Sequence, residues 1–191
     1  KIVKGILFFC LIMIAAGLLA ALFAPSSQTV SRSIKIEAPQ QVVFNQIANF
    51  KKWPNWDSWY AKDTNQIRTY DGTVGEKEYS YYWSSKNEDI GKGKTVATKI
   101  TGYERMDFEI YLNNGGKGQV LNGHFELEEN NGVTEVEWAV VSELSYPTKA
   151  MNYFIDGWIG SDFEQSLSNL KSMIEDPSFK GASASDQGVQ I

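Results

Sequence analysis

The sequence predicts an α+β domain in which a curved antiparallel sheet of about seven strands closes around one C-terminal helix, behind a membrane-spanning helix. Three observations predict it. Gly5 to Ala24 reads GILFFCLIMIAAGLLAALFA, a run without a charge. From Ser31 to Ser142 short stretches alternate apolar and polar residues between turn residues, the period of half-buried strands. Pro147 to Glu175 then carries Met151, Phe154, Ile155, Trp158, Ile159, Phe163, Leu167, Leu170 and Ile174 at helical spacing. One amphipathic helix after a run of strands must bury its stripe on the sheet those strands make.

The apolar run is long enough, at about 30 Å as a helix, to cross the hydrocarbon core of a bilayer. Lys1 and Lys4 precede it and Pro25, Ser26, Ser27, Gln28 and Thr29 follow. By the positive-inside tendency, residues 1–4 form a cytoplasmic stub and residues 5–24 a single-pass span of the inner, cytoplasmic membrane. The remainder then faces the periplasm or exterior. A cleaved signal peptide fits less well, because the run is long and Pro25 directly follows Ala24. Residues 25–30 are expected to be a linker reaching at most about 20 Å, which holds the domain close to the lipid.

The folded part, residues 31–175, is large enough for one domain with its own core. Aromatics make up 13% of the chain, with six Trp, which excludes a disordered composition. Of 18 basic residues Lys1 and Lys4 precede the domain, leaving 16 against 23 acids, a surface that repels phosphate backbones. No nucleic-acid partner is expected. The sole cysteine, Cys10, lies in the apolar run, so the domain has neither disulfides nor thiolate metal sites.

Ser31 to Glu37 alternates and ends at Ala38-Pro39, a strand and a break. Gln40 to Phe50 places Val43, Phe44, Ile47 and Phe50 on one helical face. The segment WPNWDSW then reads as a loop or short helix capping something apolar. Strands follow at Gln66–Tyr70, Glu78–Ser84 (Tyr79, Tyr81 and Trp83 on one face) and Lys94–Thr101 (Val96, Thr98 and Ile100). Three more run over Arg105–Leu112 (Met106, Phe108, Ile110 and Leu112), Gln119–Glu128 (Leu121, Phe125 and Leu127) and Val133–Ser142 (Val136, Trp138 and Val140). Turns are expected at Asp71-Gly72, Gly91-Lys92-Gly93, Asn113 to Gly116 and Asn130 to Gly132. Residues 176–191 are small and polar and read as a flexible tail.

This order of elements, with APQQVVFNQIANFKKWPNWDSW, the GKG turn, TEVEWAV and GSDFEQSLSNLK, resembles the polyketide cyclase/dehydrase-like branch of the SRPBCC (START, Bet v 1-like) superfamily. The resemblance covers about Val30 to Glu175. It implies a helix-grip fold with a deep apolar cavity, and a role in binding lipids, sterols or other hydrophobic molecules. Single membrane helices ahead of the domain occur in that branch. The motifs identify the fold rather than the function.

His124, the single histidine, shares a strand face with Asn122 and Glu126, opposite the apolar side, and is expected to face solvent. No metal, cofactor or catalytic triad is expected, and the Gly91/Gly93 pair lacks the helix that a phosphate loop needs. Of the carboxylates Asp156, Asp162 and Glu164 on the last helix, Asp162 reads either as an inward acid near Ile155 and Trp158 or, with Glu164, as an acid of a helix start; Asp57 and Asp63 read as solvated loop residues. The candidate ligand contacts are the aromatics Trp53, Trp56, Trp59, Tyr79, Tyr81, Trp83, Phe108, Trp138, Phe154 and Trp158, whose flat faces suit an apolar ligand and equally suit a packed core.

The leading expectation is a membrane-anchored module that binds an apolar small molecule or lipid between sheet and helix, without covalent chemistry. The alternatives are an accessory subunit of a membrane protein complex and a cyclase or aromatase that works by shaping its substrate. On a helical wheel the stripe of the last helix falls into two groups about 130° apart. Gly157 and Gly160 lie between them, followed by a capping-box pattern from Ser161 to Glu164. A break at Gly160 is therefore expected, with Phe154 and Trp158 on a short lid near Trp53–Trp59.

Overall fold

The computed structural model describes residues 2–112 and 118–179. Helix α1 spans Ile2–Phe23 and is long and apolar enough to cross a membrane. The strands are β1 (Ser27–Ile36), β2 (Ile67–Asp71), β3 (Ser80–Ser84), β4 (Lys92–Thr101), β5 (Arg105–Leu112), β6 (Gln119–Asn130) and β7 (Val133–Glu143). They form one antiparallel sheet in the order β1-β7-β6-β5-β4-β3-β2, so β1 joins the meander by pairing with its last strand. Two short helices, α2 (Gln40–Ile47) and α3 (Ser58–Lys62), flank a 3₁₀ turn at Phe50–Asn55, and the chain closes with α4 (Ile155–Ile174). The fold is the α+β helix grip that the resemblance implies.

The alternation seen in the sequence fixes the inner face of most strands. Tyr79, Tyr81 and Trp83 are buried, as are Met106 and Phe108, then Leu121, Phe125 and Leu127, then Val136, Trp138 and Val140. The β6–β7 turn is tight because Asn131 and Gly132 both take the left-handed conformation, at φ 54° and 79°. The turn expected at Asn113 to Gly116 lies outside the described residues, as do residues 180–191 of the expected tail. Phe179, at the start of that tail, packs against the core.

Several expectations need correction. Strand β1 begins at Ser27 rather than Ser31, because residues 27–30 pair with the end of β7. Only residues 24–26 therefore separate α1 from the sheet. In β4 the buried residues are Thr95 and Ala97, with Val96 and Thr98 turned the other way. A bulge between Ala97 and Lys99 then changes the phase, and Ile100 packs against the core.

Helix α4 runs unbroken through Gly160. The change of geometry falls earlier, where a 3₁₀ turn at Thr148–Tyr153 meets α4 at Phe154. The two wheel groups are resolved by exposure: Met151, Phe154 and Trp158 face outward, and Ile155, Ile159, Phe163, Leu167, Leu170 and Ile174 form one continuous stripe. Gly160 serves close approach instead of a break. A Cβ there would stand 2.2 Å from Arg32 Nη2, and Arg32, on the inward face of β1, binds Asp156 and Glu164 on either side of that gap at 2.9 and 2.6 Å.

Candidate functional site

The segment between α2 and β2 is built to hold tryptophans against the sheet. The Asn49 side chain accepts from Lys51 N–H at 3.1 Å and starts the 3₁₀ turn. Trp53 Nε1 donates to the Ile47 carbonyl at 2.8 Å, which fixes its indole inward. Asp57 caps α3 by accepting from Trp59 N–H at 3.0 Å. Ser58 then locks α3 to α4, its N–H donating to Ser166 Oγ and its hydroxyl to the Asp162 carbonyl, both at 3.0 Å. Asp162 is neither a helix start nor a cavity acid: its carboxylate accepts from Trp59 Nε1 at 2.9 Å and Lys62 Nζ at 2.7 Å. Asp63 caps the other end of α3 and accepts from Ser85 Oγ.

Between this segment, α4 and the sheet lies an apolar cavity of about 130 Å³. Of the ten aromatics read from the sequence, Trp53, Trp59, Tyr81, Trp83 and Trp138 wall it. Trp56, Tyr79 and Phe108 are fully buried away from it as packing. Phe154 and Trp158 are exposed and stack on each other with ring centroids 6.1 Å apart, so they form no lid over the cavity. A ring column of Phe163, Trp138, Phe125 and Phe108 fills much of the space beneath α4, Trp138 lying 4.1 Å from Phe163 and nearly parallel to it. Ile90, Ile110, Leu112, Leu121, Val140, Ile159 and Phe163 complete the apolar wall. His124 lies on the outer face of β6, opposite Asp107 and Ala139.

One end of the cavity is polar, and the reading of Asp57 as solvated is overturned there. Asp57 and Arg68 are a buried ion pair, 3.2 Å apart, with side chains 5% and 7% exposed. Arg68 Nε donates to Gln66 Oε1 at 3.1 Å, and the guanidinium lies between the rings of Tyr60 and Tyr81, 4.8 and 4.9 Å from their centroids. Burial pushes the Asp57 carboxyl above the usual range, against the opposing pull of Arg68. Burial likewise pushes the Tyr81 phenol up and keeps it protonated, and pushes Tyr79 up to about 12. Two donors in the cavity wall, Arg68 Nη1 and Trp138 Nε1, are buried with no partner in the protein. Arg68 gave no sign of burial in the sequence. It shares the parity of Gln66 and Tyr70 along β2, whereas Ile67, the residue that looks buried, is exposed.

A sheet gripping one C-terminal helix around an apolar cavity defines a helix-grip domain. Residues 27–175 match the model of the polyketide cyclase/dehydrase and lipid transport family, and the chain belongs to that family. Solved structures agree on the fold. A Nitrosospira multiformis protein superposes with a TM-score of 0.55 at 18% identity, over 78% of this chain and 97% of that one. A Helicobacter pylori protein gives 0.57 at 11% identity, over 76% and 86%. One from Mycobacterium smegmatis gives 0.55 at 12% identity, over 78% and 91%. Comparison with curated protein sequences gives no match.

Proposed function

We propose that this protein is a membrane-anchored module that binds a small apolar molecule bearing a neutral oxygen acceptor. The observation that carries the reading is the cavity, walled by indoles and aliphatic groups yet holding two N–H donors without partners. A buried donor left unmatched costs about 1–3 kcal/mol, which a ligand oxygen recovers. Asp57 neutralises Arg68, so a carbonyl or protonated carboxyl suits this end better than a carboxylate. At about 130 Å³ the space matches one ring or a short acyl segment, since an apolar cavity of about 150 Å³ takes one benzene. A longer lipid chain enters only with movement of wall residues such as Trp59 or Ile159.

Retention of α1 as an anchor is supported by its end, where Ala21 in the last turn and Ala24 just after it are buried against the domain. Lys1 and Lys4 ahead of the span support a cytoplasmic N-terminus on the same reading. The test is purification of the full chain in mild detergent, followed by mass spectrometry of bound small molecules. One apolar, oxygen-bearing molecule per chain, lost in Arg68→Met, supports the proposal. Wild-type protein free of any such molecule, which also fails to take one up from added lipid extract, overturns it.

One observation favours a second reading, a cyclase-type enzyme. Asp57 is a carboxyl in the cavity wall, and burial raises its affinity for a proton. Both its oxygens are engaged, by Arg68 and by Trp59 N–H, which weighs toward a structural role. Under the enzyme reading, Asp57→Asn retains the ligand unconverted.

A further inference from the structure

Outside α1, the exposed large apolar residues among the described residues divide into two sets. Ile67, Tyr82, Tyr111 and Val120 lie on strands of the sheet, whereas Tyr146, Met151, Tyr153, Phe154 and Trp158, 47–60% exposed, fall within one short stretch around the start of α4. That stretch is tied to the end of α1. Lys149 Nζ donates to the Leu22 carbonyl at 3.2 Å, and Asn152 Nδ2 donates to the Pro25 carbonyl at 2.9 Å. Asn152 is itself buried, and its Oδ1 accepts from Ser142 Oγ at 3.0 Å, so the link is braced by β7. From the other side Leu144 N–H donates to the Ser26 carbonyl at 2.9 Å.

These bonds set a depth. If Gly5 to Ala24 fills the hydrocarbon core, residues 22–25 stand at its outer boundary. The residues bonded to them then stand in the interfacial layer, about 5–7 Å thick on each side of the bilayer. Tyr, Trp and Phe beside a lysine make a composition suited to that layer, where an amphipathic ring has its apolar body in lipid and its polar edge in water. The one acid in the stretch, Asp156, is held by Arg32 through two hydrogen bonds of 2.9 and 3.2 Å and brings no free charge toward the lipid.

We infer that Tyr146, Met151, Tyr153, Phe154 and Trp158 form a surface bedded in the interfacial layer of the same bilayer that α1 crosses. The domain is thereby held in one orientation at the membrane. Ile159, directly after Trp158, belongs to the cavity wall, so this turn of α4 has lipid on one side and the cavity on the other. The inference rests on the reading of α1 as a retained anchor.

The test uses the full chain with Cys10→Ser, reconstituted in phosphatidylcholine nanodiscs that carry spin-labelled lipid. An environment-sensitive fluorophore is attached in turn through Leu11→Cys, Trp158→Cys and Tyr82→Cys. Quenching and a blue shift at positions 11 and 158, with neither at 82, are the expected result. Quenching at 11 but a water-like probe at 158 overturns the inference and leaves the anchor standing; a surface made for a protein partner gives this outcome. No quenching at 11 overturns the anchor and this surface with it. Equal quenching at 82 and 158 overturns the defined orientation.

Discussion

At the scale of single residues, the Asp57–Arg68 pair decides the character of the site. Neither was legible in its role. Asp57 sits in the polar-looking segment PNWDSW, and the partner that buries it arrives only when β2 is laid beside β3. Parity along a weak five-residue strand gives no warning of a buried guanidinium. The pair makes a signed prediction. With its folded-state pKa raised above the usual value near 3.8, Asp57 binds its proton more tightly in the folded protein than in the unfolded chain. Its contribution to stability therefore falls as pH rises from that value through the raised one. Arg68→Met removes the cation that limits the shift. The variant is expected to lose about 3–5 kcal/mol at neutral pH, the cost of stranding a buried charge, and to recover part of it relative to wild type as pH is lowered and Asp57 takes up its proton. Adding Asp57→Asn to Arg68→Met is expected to restore much of the loss and flatten the difference. Melting of the full chain in detergent, followed by tryptophan fluorescence across pH, checks both. A pH-independent loss in the single variant rules out this account of the pair.

At the scale of elements, the strands were legible wherever large residues alternate with charges, as in β5 to β7. They were misread where small residues face large ones. The inner face of β4 is Gly93, Thr95 and Ala97 because β3 and its approach put Trp83, Tyr81 and Tyr79 beside them. A Cβ on Gly93 would stand 2.4 Å from the Trp83 ring. Apolar periodicity sees the β-branched Val96 and Thr98 and chooses the wrong face. The same blindness explains α4, where Gly160 was read as a weak point of the helix. There the missing side chain admits Arg32, a cation in a β1 position that pattern reading assigns to the core. Gly160→Ala therefore sets a gain of about 1 kcal/mol in helix propensity against displacement of the guanidinium from Asp156 and Glu164. The ion pairs are exposed and screened by solvent, so the net effect in the wild-type background is expected to be small. In an Arg32→Ala background the conflict disappears, and Gly160→Ala is expected to stabilise by about 1 kcal/mol. A double-mutant cycle on melting in detergent measures the difference; equal effects in the two backgrounds mean that Gly160 is not there for Arg32.

At the scale of the whole molecule, the fold was legible because order of elements, turn chemistry and one final amphipathic helix converge on a single architecture. The extent of the cavity was not, because its volume is what remains after the rings have packed. Trp56, Tyr79 and Phe108 have the same sequence character as Trp53, Tyr81 and Trp138, yet only the second set meets the cavity. This leaves a question that stability answers. An empty space of about 130 Å³ costs about 3 kcal/mol at about 24 cal/mol per Å³, so a chain under no demand to bind would gain by closing it. Leu121, on β6 opposite Ile110 of β5, and Val140, on β7, both wall the cavity. Leu121→Phe with Val140→Ile extends side chains into it without changing polarity. If the space is kept open for a ligand, the double variant is expected to melt higher by an amount worth about 1–2 kcal/mol and to purify without the bound molecule. Melting below wild type, by the roughly 1–3 kcal/mol typical of overpacking, would show instead that the walls close on themselves in solution. The site would then have to be sought elsewhere on the domain.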